Sequence, residues 1–249
     1  MTTIAARRTR RPNIAELARE IADVATDLPL FLTAPLYRRR HLRWGATAAE
    51  FAAALPGDEL QSPAQFECTR AVTVDAPPEA IWPWLVQVGC LKGGFYSNDL
   101  LDNLAHPSAR EIIAEFQHLE VGQWVSMSPT PTETTALRVH SFAVDRWLLW
   151  RKPDSTWVWT LTDIGHGRTR VVTRVRAFYD WKKPLGALFG VLLMEFGDFA
   201  MMRRMLLGIK ERAETVHYRA AEPRFVPKSS GHGETVGPAA PPTRRRRRR

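Results

Sequence analysis

The chain has 249 residues, 45% hydrophobic and 10% aromatic, enough for one packed domain with extensions or for two small domains. Its formal charge of +9 is unevenly spread: residues 61–214 hold 17 basic and 17 acidic side chains, residues 1–60 nine and seven, and residues 215–249 nine and two. The excess therefore sits mostly in a tail, which argues against a specific nucleic-acid-binding domain. Two cysteines, Cys68 and Cys90, are too few for a disulfide framework and lack zinc-ligand spacing.

Residues 1–12 are arginine-rich and are expected to form a disordered basic arm. No apolar leader stands near the N-terminus, and the apolar stretch from Leu185 to Met202 is interrupted by Glu195 and Asp198. It falls short of a clean membrane span, so the expected location is cytoplasmic. Ile14, Leu17, Ile21, Val24 and Leu28 follow helical spacing behind Asn13 and Glu16, a capping-box pair. Pro29 and Pro35 are expected to break up the next apolar run. A basic stretch, RRRHLR (38–43), leads to a second capping box, Thr47 and Glu50, so residues 13–60 read as an N-terminal helical extension.

The domain proper is expected over 61–216. A strand at 66–74 is followed by DAPPEAIWPWLVQVG, a helix opened by prolines, kinked at Pro83 and ended by Gly89. GCLKGG (89–94) follows a helix and lacks a closing Lys-Ser/Thr, so it is a joint with glycines at positive φ and not a phosphate loop. Ser97 is expected to cap a short helix through Leu104. Period-two patterning then predicts strands at 123–128, 136–144, 146–151, 155–164 and 168–179, and Pro184 opens a long helix to about Glu214. Residues 217–249, ending in Arg244–Arg249, are expected to form a disordered tail. The predicted class is α+β, an antiparallel sheet curved around a long C-terminal helix.

TVDAPPEAIWPWLVQVG with GGFYSNDLLDNL, and before them WGATAAEFAAALPGDE, resemble the SRPBCC superfamily, the START-like helix-grip proteins that include polyketide cyclases and lipid-transfer domains. The resemblance runs from about Trp44 to Glu214 and implies a helix-grip fold with a deep, mostly apolar cavity between sheet and long helix. It does not fix one reaction.

Trp157, Trp159 and Leu161 share one face of their strand and are expected to point inward. Arg168, Arg170, Arg174 and Arg176 form a stripe expected on a solvated outer face. On the long helix Leu188, Val191, Leu192, Phe199, Met202, Leu206 and Ile209 fall in one sector, with Glu195 and Asp198 among them. Gly186, Gly190, Gly197 and Gly208 lie opposite, where the helices of 13–55 are expected to pack. The expected ligand-binding residues are Trp84, Phe95, Tyr96, Trp124, Trp157, Trp159, Leu192, Phe199 and Met202, for a hydrophobic small molecule or lipid. An alternative is a cofactor-independent cyclase, aromatase or dehydratase using Glu195, Asp198 or Tyr96 as acid or base. A third is attachment to an anionic membrane through the basic termini, Arg244–Arg249 above all. Glu111, Glu115 and His118 give one E-x-x-H pattern and no second, so neither metal nor cofactor is expected.

Overall fold

A computed structural model describes residues 13–221. The expectations for the basic arm (1–12) and for residues 222–249 lie outside the described residues. Helix α1 (Ile14–Thr33) starts at the predicted capping box: the Asn13 side chain accepts from Glu16 N, and the Glu16 carboxylate accepts from Asn13 N. Pro29 does not break it; the helix continues to Thr33 and passes through a 3-10 turn (Ala34–Tyr37) into the short α2 (Arg38–His41). A second capping box, Thr47 with Glu50, opens α3 (Ala48–Ala52), and a 3-10 turn over Asp58–Gln61 follows.

Strand β1 (Phe66–Val74) leads into α4 (Pro78–Val86), the glycine joint and the four-residue α5 (Asp99–Asp102), whose N-cap position is Asn98 and not Ser97, with no side-chain cap bond. Strands β2 (Trp124–Ser126), β3 (Ala136–Ala143), β4 (Trp147–Lys152), β5 (Ser155–Asp163) and β6 (Thr169–Ala177) complete a wholly antiparallel sheet in the order β1-β6-β5-β4-β3-β2. The C-terminal helix has two limbs, α6 (Pro184–Leu192) and α7 (Asp198–Ala221), joined by a π turn over Leu193–Gly197. The fold is the helix grip predicted, with α7 lying on the inner face of the sheet and α4 packed beside it.

Register fixes that inner face. Cys68, Arg70 and Val72 of β1 stand opposite Val175, Thr173 and Val171 of β6, which in turn face Trp157, Trp159 and Leu161 of β5. With Trp84, Ile81 and Leu85 of α4 and Met202, Leu206 and Ile209 of α7 they form one buried cluster.

The outer face is where expectation and structure part. The arginine stripe is not solvated beyond Arg168, because residues 42–61 fold across it. Arg174, whose side chain is 3% exposed, donates to the carbonyls of Glu50, Phe51 and Ala53 at the C-terminal end of α3 and pairs with Asp58 at 2.5 Å. Arg170 grips Glu50 at 2.6 Å and holds its carboxyl down at about 2, chiefly through that hydrogen bond. A cation at the carbonyl end of a helix, fully hydrogen-bonded, can be buried where a bare one cannot. The same segment closes the free edge of β1, whose Thr69 and Ala71 amides donate to the Leu42 and Trp44 carbonyls.

Nor do the helices of 13–55 together cover the glycines of the C-terminal helix. Among those four, only Gly208 meets a close backbone: a Cβ there would overlap the Tyr96 carbonyl oxygen, so the glycine joint is what approaches. Helix α1 docks on α7 through ion pairs from Arg204 to Asp23 and Asp27.

Candidate functional site in the helix grip

The joint places the first aromatic residues. Gly89 and Gly94 take φ of 141° and 81°, as expected of a turn glycine, and are bridged to each other. A Cβ on Gly94 would overlap the Ser108 hydroxyl. The reversal is tied down by Gln87, fully buried, whose side-chain oxygen accepts from Ile113 N at 2.9 Å and from Gln117 at 3.1 Å while its amide donates to the Glu111 carbonyl. Phe95 and Tyr96 are thereby turned inward, both buried, and the Tyr96 hydroxyl donates to the Trp84 carbonyl at 3.0 Å. Burial raises the Tyr96 pKa above the ordinary phenol value. Lys92 stays in the same joint, 5.5 Å from the Phe116 ring centroid, and desolvation lowers its amine to about 8.

The sheet supplies the tryptophans. Trp150 of β4 lies edge-on to Trp157 at 5.0 Å and to Trp159 at 6.0 Å, and the latter two are 5.4 Å apart. Trp157 donates its indole N–H to Thr173 Oγ1 at 2.9 Å. The indole nitrogens of Trp84, Trp150 and Trp159 are buried with no acceptor among the described residues, and so is one guanidinium nitrogen of Arg70. An unmet buried donor costs about 1–3 kcal/mol.

The third part is polar and sits where the C-terminal helix widens. Asp198, first residue of α7, pairs with Arg70 at 2.6 Å, with side chains 7% and 1% exposed. Arg70 also donates to the His41 carbonyl, and the His41 ring stacks on Phe199 at 3.8 Å. Burial holds the Cys68 thiol, 3.9 Å from Asp198, up at about 12, which favours the protonated form. Glu195, in the π turn, reaches outward to Arg38 at 2.7 Å. Near both carboxylates lies Tyr179, its hydroxyl buried without a hydrogen-bond partner among the described residues and pushed up to about 12, first by burial and then by Glu195.

The expected site residues thus divide. Trp84, Phe95, Tyr96, Trp157, Trp159 and Met202 belong to the one buried cluster, and Phe199 is buried beside it against His41 and Trp44. Trp124 lies partly exposed on β2 under the Arg138 guanidinium, 3.5 Å from its ring centroid. Leu192 is 48% exposed on α6, away from that cluster. Of the candidate acids and bases, Tyr96, Glu195 and Asp198 are each held by a different partner: Trp84, Arg38 and Arg70. His118 of the E-x-x-H pattern pairs with Glu120 on the surface. Sequence reasoning missed Arg70, Gln87 and Tyr179; a lone arginine inside an apolar strand and a glutamine between two apolar residues were the available signals.

The concavity of about 520 Å³ that the described residues form is not the apolar cavity implied by the resemblance. It lies outside the grip, between α1, residues 96–110 and α7, and its lining is charged, with Glu20, Asp99, Arg110 and Arg212 among it. Between sheet and α7, large aromatic side chains take up the interior.

No family model matches the chain, and no curated protein matches it. Solved structures do. The ZhuI aromatase/cyclase from a Streptomyces species is 16% identical over 63% of this chain and 96% of its own, with a TM-score of 0.35. A polyketide-cyclase-like protein from Corynebacterium glutamicum is 14% identical over 62% and 91%, TM-score 0.33. The self-sacrificing resistance protein CalC from Micromonospora echinospora is 12% identical over 60% and 95%, TM-score 0.34. Polyketide-cyclase-like proteins stand among the structures this chain is similar to. The helix-grip assignment itself rests on the strand order and the placement of α7.

Proposed function

We propose that the protein binds a hydrophobic small molecule or lipid bearing hydrogen-bond acceptors, held between the tryptophan face of the sheet and α7. The observation that carries this reading is the set of buried indole donors, Trp84, Trp150 and Trp159, with no acceptor among the described residues. A core selected for packing alone would use phenylalanine or leucine at such positions, because each unmet N–H weakens the fold. An aromatic or acyl ligand with carbonyl or hydroxyl oxygens would satisfy these donors and stack on the rings. Met202 and Met205, in the same cluster, are unbranched and re-pack at low cost, so this interior can admit a guest by side-chain movement.

Native mass spectrometry of the full chain, followed by solvent extraction, tests the proposal. A discrete added mass is expected, reduced in Trp159→Phe and Trp150→Phe while the melting temperature shows that both variants still fold. An empty parent protein, with both variants as stable as the parent, would mean that the donors are only tolerated, and the proposal would fall.

A further inference from the structure

The α6 limb is unusual for a helix of a packed domain. Its nine residues, PLGALFGVL, carry no charge, and only Ala187 is buried. Leu185 is 83% exposed and Phe189 68%. A second uncharged stretch, LPLFLTAPLY (28–37), ends α1 and forms the turn after it, and it exposes Leu32, Leu36 and Tyr37. The two are neighbours, because the end of α1 and the following turn pack on the π turn that continues into α6. Trp181, 56% exposed, stands just before α6.

The nearest edges of this apolar surface carry an excess of cations. Lys182 and Lys183 precede α6, close to Asp180, and Arg38, Arg39 and Arg40 follow the α1 stretch, all exposed, with Arg38 paired to Glu195 of the π turn. A concavity lined by Arg39, Leu42, Arg43 and Phe51 opens beside Arg39. An apolar face with aromatic residues and a cationic border is the chemistry of a surface that enters the interface of an anionic bilayer.

Pro184–Arg219 is long and apolar enough to cross a membrane by length and composition. Its second limb is nevertheless committed to the fold, since Asp198 is paired with Arg70 inside the sheet. The free limb of nine residues measures about 14 Å at 1.5 Å per residue, half of a hydrocarbon core of about 30 Å.

We propose that the apolar surface of α6 and residues 28–37, bordered by Arg38–Arg40 and Lys182–Lys183, docks the protein on an anionic lipid bilayer, entering one leaflet without crossing it. This holds whatever the interior binds.

The test is co-sedimentation of the full chain with vesicles of phosphatidylcholine alone and of phosphatidylcholine with phosphatidylserine, at low and physiological salt. The parent is expected to pellet with the anionic vesicles. Leu185→Glu with Phe189→Glu should lower the bound fraction about tenfold or more, because two exposed apolar anchors are replaced by anions. Arg39→Ala with Arg40→Ala should lower it several-fold and flatten its salt dependence. All four positions are exposed, so melting temperatures should stay unchanged. Equal binding by the Leu185/Phe189 variant overturns the proposal and leaves attachment to Arg244–Arg249, which a chain ending at Thr243 would confirm by losing it. A parent that ignores vesicles also overturns it. So does a parent that is dimeric and becomes monomeric in the Leu185/Phe189 variant without any vesicle binding, which would make this face a contact between copies.

Discussion

The two limbs of the C-terminal helix both carry large apolar residues, and these live in opposite surroundings. In α7, Met202, Met205, Leu206 and Ile209 are all at most 5% exposed, whereas in α6 Leu185, Leu188, Phe189 and Leu192 are each exposed by 48% or more. The boundary between them is the π turn and the Arg70–Asp198 pair. Apolar composition therefore does not say which residues are core; what a segment is tied to does.

The largest expected effect breaks that tie. Asp198→Ala strands the Arg70 guanidinium in the interior and should cost about 3–5 kcal/mol in urea denaturation. A cost below about 1 kcal/mol would mean that the pair does not anchor α7. Next, Leu206→Ala should cost about 2–5 kcal/mol through lost burial and a residual cavity, against a change within about 0.5 kcal/mol for Leu185→Ala. Glycines sharpen the same contrast. Gly208→Ala drives a Cβ into the Tyr96 carbonyl and should cost about 1–3 kcal/mol, while Gly186→Ala meets open space and should gain about 0.5–1 kcal/mol in helix propensity.

A smaller effect than the loss of Asp198 or Leu206 concerns the joint that α7 packs on. Lys92 has its amine lowered to about 8 by desolvation, from an ordinary 10.5. Between those values the unfolded chain binds more protons than the folded one, so stability rises with pH across that window. Lys92→Met should gain about 1 kcal/mol at pH 7, a figure reduced for partial solvent access, and the gain should vanish above pH of about 10.5. Thermal melts from pH 7 to 11 read this directly.

Much of the fold was legible because it is written in short range. Both capping boxes, the six strands within two or three residues, and the inward face of Trp157 and Trp159 follow from spacing alone. What spacing could not reveal depended on distant residues. The Arg170–Arg174 stripe alternates like a solvated face, and its burial depends on acceptors distant in the sequence, among them the carbonyls and carboxylates of residues 50–58. Helical projection put Leu188, Val191 and Leu192 in one sector with Met202, but a π turn adds a residue and rotates the following limb by about 100°. Of the site, the aromatics of the joint and of β5 were legible as apolar residues in the right elements. Arg70 was not, because nothing near it in the sequence announces that Asp198 will neutralise it.

The strand order carries a consequence for how the chain is made. β3, β4, β5 and β6 pair with their immediate sequence neighbours and can zip as they emerge from synthesis. β1 cannot join them: Phe66 pairs with Ala177, 177 − 66 = 111 residues later. Until the last strand is present, the sheet-forming edge of an apolar strand waits unpaired, which is the interval in which a nascent chain is most exposed to wrong partners. Residues 42–44, already synthesised and bonded to the opposite edge of β1 in the finished fold, are placed to guard that side throughout the wait.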